Sequence, residues 1–215
     1  MRPVGDHAVL LDLHSNEAVH AVARLARSRF GRELVEVVPG HRTLLLVWDE
    51  SLDDAAALMS NLKALAGDAS AFKLDMRARG NKTPQAVTVP VMYDGADLDA
   101  VAASLALSRE GVVQLHSGAE YTVAFMGFSP GFPYLVAESQ DEAVRLLALP
   151  RLATPRTEVP AGSVAVAAGY CGIYPRSSPG GWNLLGRTDV VLFDAERRAP
   201  ALLEPGTRVR FEPVP

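Results

Sequence analysis

The stretch VPAGSVAVAAGYCGIYPRSSPGGWNLLGRT, Val159 to Thr188, decides what the larger part of this chain can be. It lies in a region where no long helical period appears beyond Gly118, and where short β-rich runs alternate with proline and glycine turns. Those runs are Tyr121–Phe125, Ser163–Ala168, Val190–Phe193 and Arg208–Phe211. Strands this short, at this spacing, predict a closed or nearly closed β-barrel with elaborate loops. Just upstream, Val87, Val89 and Val91 alternate as a strand, and Asp97–Leu107 predicts a helix. Ser108 is placed to cap a second short helix that ends near His116, with Gly118 as its stop signal.

The first part of the chain reads differently. Ala8–Leu13 predicts a strand, and Ser15 a cap for a helix carrying Ala18, Val22 and Leu25 on one face. Leu34–Val38 and Thr43–Trp48 predict two strands joined at Pro39-Gly40. Ser51 is the expected cap of a helix bearing Ala55, Leu58, Met59, Leu62 and Leu65, and Phe72, Leu74 and Met76 alternate as a closing strand. The order β-α-β-β-α-β is the ferredoxin-like pattern. Residues 1–80 are thus expected to form an α+β domain, Asn81–Gln85 a linker, and residues 86–215 a mainly-β domain. Proline and glycine usage changes at the same place. Three prolines and five glycines lie between Met1 and Gln85, against twelve of each from Ala86 onward.

Composition removes several function classes. With 215 residues, 48% hydrophobic and 21% charged, the chain is ordinary for a globular protein. No apolar run approaches the ~18 residues of a membrane span, and Asp6, Asp12 and His14 interrupt what would be the core of a signal peptide. A net charge of −4 without a basic cluster disfavours nucleic-acid binding. Cys171 is the single cysteine, which suits a reducing cytoplasmic setting and cannot supply a cysteine-rich metal site.

Motif by motif, the negative findings are as useful as the positive ones. Gly127-Phe128-Ser129-Pro130-Gly131 matches G-x-S-x-G, yet Pro130 has no N–H to offer an oxyanion hole and no amphipathic helix follows. Ser129 is therefore rejected as a nucleophile. No P-loop sequence exists, and the five histidines show no metal-ligand spacing.

Three stretches carry positive signals. Phe125–Leu135 (FMGFSPGFPYL) alternates glycine and proline with Phe128, Phe132 and Tyr134, which fits either an aromatic plug at a barrel end or the wall of a ligand site. Pro150-Arg151 and Pro155-Arg156 each hold an arginine beside a proline, suited to carboxylate or phosphate recognition or to structural ion pairing. The glycines of Ser177–Trp182 predict an exposed backbone nest for an anion or carbonyl oxygen, or else a tight barrel corner with Trp182 as core. Cys171 reads as a small buried hydrophobe, and His116 as either a dipole-stabilised helix-end residue or a general base.

Taken in order from Gly5-Asp6 through His116, GFSPGFPYL, the two Pro-Arg pairs, PAGSV and YPRSSPGGWNLLGRT to Pro205-Gly206, the chain resembles the family of the 5-oxoprolinase B subunit. That family is also described as allophanate hydrolase subunit 1, or KipI-like. The resemblance implies a cyclophilin-like β-barrel after the N-terminal domain. It implies work within a heteromeric complex beside a larger homologous barrel protein, the C-type subunit, and in 5-oxoprolinase a third component. With ATP, that complex opens 5-oxoproline to glutamate, the nucleotide activating the lactam carbonyl. Other members act in allophanate or urea metabolism, or inhibit a histidine kinase. Carried over by position, the cleft would involve His116, Gly131, Phe132, Arg151, Arg156, Tyr174, Ser178, Gly180, Gly181 and Trp182. His116 is the expected proton carrier, and Arg151 or Arg156 the group holding a carboxylate or phosphate. The family commonly has Gln-Thr where this chain has Tyr170-Cys171, and Gln in place of Asn183.

Overall fold

The structure, a computed structural model, describes residues 1–52, 54–67, 86–137 and 141–215. The chain divides into two compact units, Met1–Thr83 and Pro84–Pro215.

In the first unit, β1 (Arg2–Pro3), β2 (Ala8–Asp12), β3 (Leu34–Pro39) and β4 (Thr43–Trp48) form an antiparallel sheet in the order β1-β2-β4-β3. Helix α1 (Asn16–Phe30) begins where expected, because Ser15 Oγ accepts from Ala18 N at 3.2 Å. Alternation along β2 and β4 turns Val9, Leu11, Leu44, Leu46 and Trp48 into one core with Val19, Val22 and Ala26 of α1. Helix α2 (Ala55–Gly67) adds Leu58, Leu62 and Leu65 to it. Its first turn is capped by Asp54, whose Oδ1 accepts from Ala57 N at 2.9 Å, and Ser51, the expected cap, bonds Asp49 instead. An aspartate nearer the helix start outcompetes the serine. The closing strand expected at Phe72–Met76 and the expected linker Asn81–Gln85 lie outside the described residues. The ferredoxin-like order is thus seen only as β2-α1-β3-β4-α2.

The second unit is built on a closed seven-stranded barrel. Its strands are β5 (Val87–Met92), β6 (Glu120–Met126), β7 (Pro133–Ala137), β9 (Ser163–Ala167), β10 (Tyr170–Ile173), β12 (Asn183–Arg187) and β13 (Arg208–Val214). They run β10-β7-β6-β13-β5-β12-β9, and β9 pairs β10 to close the circle. Every pairing is antiparallel except β5–β13, which runs parallel from Val87↔Val209 to Met92↔Val214. Helices α3 (Leu98–Leu105), α4 (Arg109–Gly118) and α5 (Asp141–Leu147) surround it, and a separate pair, β8 (Arg156–Val159) and β11 (Ser178–Gly180), forms a small outer sheet. Val190–Phe193, expected as a strand, makes only an isolated bridge from Phe193 to Ala201.

Period-2 geometry explains where the interior lies. Val164 and Val166 of β9 and Leu185 of β12 enter the barrel core with Val89, Val91, Leu135, Val209 and Phe211. Their neighbours Ala165, Ala167 and Leu184 face the other way, into a second cluster with Phe132, Val159, Tyr174 and Trp182. Strands β9 and β12 are therefore covered on both faces. That second, outer layer is where a site can form.

His116 belongs to the inner core. It is fully buried on α4 and its ring lies 4.4 Å from that of Phe211 and 5.4 Å from Tyr121. Nδ1 bonds the Tyr93 hydroxyl at 2.7 Å, Nε2 meets Cys171 Sγ at 3.3 Å, and Tyr121 Oη donates to the His116 carbonyl at 3.0 Å. The expected proton carrier is thus corrected to a structural residue. Both its nitrogens are occupied, and burial pushes its pKa down to about 3, so it stays neutral at physiological pH. Cys171 is buried as expected, and burial pushes its thiol up.

This burial sets a pH dependence. The unfolded imidazole titrates near 6.5 and the folded one near 3, so between those values only the unfolded chain binds the proton. The stability from keeping His116 neutral is complete above pH ~6.5 and falls as the pH drops toward 3, by at most about 1.4 kcal/mol per pH unit. His116→Gln removes that slope. Melting curves from pH 7 to pH 4 should show the gap in Tm between parent and variant narrowing with acid, and a constant gap would refute the assignment.

Candidate functional site

The outer aromatic layer is organised by one hairpin. Strands β6 and β7 are joined by a turn in which Ser129 N donates to Gly127 O at 2.6 Å and Phe132 N to Ser129 O at 3.0 Å. Phe128 sits there with φ +62°, a conformation uncommon for a bulky residue, and is 62% exposed. Gly131, at φ +80°, is required: a Cβ would lie 2.5 Å from that of Phe193. No helix directly follows Ser129, and among the described residues its buried Oγ has no hydrogen-bond partner, so no base is bonded to it. The match to a nucleophile elbow is a hairpin turn.

Phe132, buried at the end of this turn, is the hub of the layer. Its ring meets Phe128, Tyr134, Tyr174 and Trp182 at centroid distances of 5.4, 5.1, 5.1 and 5.6 Å, three of them edge-to-face. Gly172 lies under this layer, where a Cβ would come within 2.8 Å of Phe132 and 2.9 Å of Trp182. Above the layer opens a cleft of about 160 Å³ lined by Phe128, Phe132, Tyr134, Arg151, Tyr174, Pro179, Gly180, Gly181 and Trp182. Burial pushes the Tyr134 and Tyr174 hydroxyls above their ordinary pKa, against an opposing pull from the positive charge of Arg151. Both remain protonated donors at neutral pH.

The glycine-rich wall differs from the expected nest. Ser178–Gly180 is strand β11, paired to β8 through Ser178↔Val159 and Gly180↔Arg156, and neither Gly180 nor Gly181 has a positive φ. A nest needs residues of alternating handedness, and pairing with β8 fixes this segment as extended chain. The reason for glycine at 180 is steric, since a Cβ there would lie 2.3 Å from the Tyr174 hydroxyl oxygen.

The two arginines have separate fates. Arg151 lines the cleft with no ion-pair or hydrogen-bond partner among the described residues. Its segment is pinned on either side: Leu152 N donates to Gly181 O at 2.7 Å, and Asn183 Nδ2 to Pro150 O at 2.9 Å. Arg156 does not line the cleft. Its Nη2 donates to Asp97 Oδ1 at 2.7 Å, while Asp97 Oδ2 accepts from Leu184 N at 2.7 Å.

Of the residues expected at the site, Phe132, Arg151, Tyr174, Gly180, Gly181 and Trp182 converge on the cleft, whereas His116, Gly131, Arg156 and Ser178 do not line it. Ser178 is held in β11 with a buried hydroxyl that has no hydrogen-bond partner among the described residues. Phe128, Tyr134 and Pro179 complete the lining; none is in the set carried over by position, although the two aromatics were read as either a plug or a ligand wall. Strand alternation carried the signal for Tyr134, which stands two residues after Phe132 at the start of β7. Asp97 gave no local signal, because its arginine lies 59 residues away. Tyr170 packs edge-on against Tyr134 at 5.4 Å and does not line the cleft.

Comparison with known proteins places this geometry. Residues 1–203 match the family described as carboxyltransferase domain, subdomain C and D. The 5-oxoprolinase B subunit of Escherichia coli O157:H7 is 37% identical over 98% of this chain and 94% of its own length. The crystal structure of TTHA0988 superposes with a TM-score of 0.78 at 37% identity, covering 97% of this chain but 40% of that one. The present chain thus spans about two fifths of that protein. The K. lactis urea amidolyase, at 21% identity and a TM-score of 0.69 over 99% of this chain and 14% of its own, shares the fold. Among the described residues no helix is long and apolar enough to cross a membrane. By sequence match and by fold alike, the chain belongs to the carboxyltransferase subdomain C and D family, together with the bacterial 5-oxoprolinase B subunits.

Proposed function

We propose that this chain is one component of a heteromeric, ATP-dependent hydrolase of the cytoplasm that opens 5-oxoproline to glutamate. The observation that carries the proposal is the aromatic cleft of the second unit, with its single guanidinium, in a chain 37% identical to a 5-oxoprolinase B subunit over almost its whole length. A volume of about 160 Å³ is below the ~300–1,000 Å³ of drug-sized ligand sites and suits a molecule of a few heavy atoms.

Ring opening breaks the lactam C–N bond. Water supplies the oxygen that joins the carbonyl carbon, and the ring nitrogen leaves with a proton as an amine. In this chain the flat surfaces of Phe132 and Trp182 hold the ring and exclude water from its faces. The hydroxyls of Tyr134 and Tyr174 are the donors available to a lactam oxygen. No titrating base lines the cleft among the described residues, so the group that activates water belongs to a partner. Arg151 is the one cation lining the cleft, and the volume of about 160 Å³ is small for a nucleotide. The nucleotide is assigned to a partner protein. The partners are a larger homologous barrel protein of the C type and a third component.

The test is reconstitution. The chain co-expressed with those two partners, supplied with ATP and 5-oxoproline, should release glutamate, and each component omitted singly should abolish it. A fully assembled complex that makes no glutamate, yet turns over allophanate or urea, would replace this reading with the runner-up from urea metabolism. Within an active complex, Gly180→Ala should lower kcat/KM by about 10-fold or more, because its methyl displaces the Tyr174 hydroxyl.

A further inference from the structure

Tyr134 lines the cleft, but its ring is held from outside it. Phe125 lies stacked on that ring at 4.3 Å and 13°. Tyr170 stands edge-on to both, 5.4 Å from Tyr134 and 5.6 Å from Phe125. The three rings close a triangle, of which only Tyr134 reaches the cleft. Two backbone features build it. Strict alternation from Val123, which faces the barrel core, would turn Phe125 inward as well. The register shifts between Val123 and Phe125, as at a β-bulge, and Phe125 stands opposite Tyr134 instead. Tyr170 follows Ala168 and Gly169, which join β9 to β10 at φ +52° and +92°, the handedness of a two-residue type I′ turn. That turn is fixed to the end of α5, since Ala168 N donates to Leu149 O at 2.8 Å and Gly169 N to Leu147 O at 2.7 Å. Tyr170 is thus presented from a rigid base.

The Tyr134 hydroxyl is the group this arrangement aims. Toward the cleft it faces Arg151 and Tyr174: the guanidinium opposes the rise that burial gives its pKa, and its own charge acts on the Tyr174 hydroxyl. On the far side its charge acts on the hydroxyl of Tyr170. We infer that Tyr170, with Phe125, is a positioning residue that holds the Tyr134 hydroxyl in the cleft as a hydrogen-bond donor to the ligand. A tyrosine on a sheet face has more than one staggered rotamer open to it. The stacked face of Phe125 and the edge of Tyr170 select one of these. Neither residue touches the ligand, and both act through Tyr134. The inference rests on the reading of this cleft as the substrate site of the complex.

Crystal structures of the full chain give the direct test. Tyr134 should keep one rotamer in the parent and in Tyr170→Phe, and take up others in Tyr170→Leu. Phe125→Leu serves as the second variant should that chain fail to fold. In the assembled complex with ATP and 5-oxoproline, Tyr170→Leu should lower kcat/KM about 2- to 10-fold, the span of one aromatic pair. Tyr170→Phe should restore it, because the ring and not its hydroxyl does the holding. In a Tyr134→Phe background, Tyr170→Leu should change kcat/KM by less than about twofold, since the hydroxyl it positions is gone. A residue that only packs the layer would cost the same in both backgrounds. Tyr134 unmoved in the leucine variants, or equal losses with and without its hydroxyl, would overturn the inference. A parent complex that releases no glutamate would sink the 5-oxoproline reading alone, and the Tyr134 rotamers would still decide this one.

Discussion

Asp97 ties the outer sheet to the barrel wall through its two carboxylate oxygens. One carboxylate oxygen accepts from the backbone of Leu184 in β12, inside the barrel wall, and the other from Arg156 in β8, in the outer sheet. The carboxylate is almost wholly buried, so each bond is made in surroundings where water competes poorly. Losing either partner would leave a charge without compensation, which costs more than the pair itself contributes. Through β8 the same link reaches β11, since Arg156 and Gly180 are register partners. The glycine wall is therefore tied to the barrel through this carboxylate, alongside the packing of Val159 and the Leu152 N–Gly181 O bond.

The barrel supplies the opposite wall because two of its strands are used twice. Valine on one face of β9 and alanine on the other is a division of labour by size. The valines fill the interior, and the alanines let Phe132, Tyr174 and Trp182 approach the sheet closely. Gly172 extends the same accommodation, since any side chain there would push into two rings. The site is thus an outgrowth of a covered sheet face, and its rigidity comes from packing more than from hydrogen bonds.

What the sequence made legible follows from how local each signal is. The Ser15 and Ser108 caps, the helices they start and the alternating strands Ala8–Leu13, Thr43–Trp48 and Val87–Val91 depend on neighbours within a few residues, and the structure has them. Strands β8 and β10, four residues each, did not stand out because they are too short for alternation to show. Within the site, the aromatics and Arg151 were visible as unusual residue types between prolines and glycines. The roles of His116 and Arg156 were not visible, since they are decided by burial and by Asp97, Tyr93 and Cys171, all distant in sequence. A lone histidine reads the same whether it faces a cleft or a core.

The parallel pairing of β5 with β13 also has a consequence for how the polypeptide emerges from the ribosome. β5 is the first barrel strand synthesised and β13 the last, and β13 is also the neighbour of β6. Some ~120 residues separate their starts, roughly 6 to 24 s of elongation at ~5–20 residues per second. For most of that interval the nascent chain carries β5 and β6 without the strand that will lie between them. Pro90, in the middle of β5, presents no N–H to a stray strand and so blunts an edge that must wait. Closure of this barrel waits for β13, and until then β5 carries a proline at the edge left open.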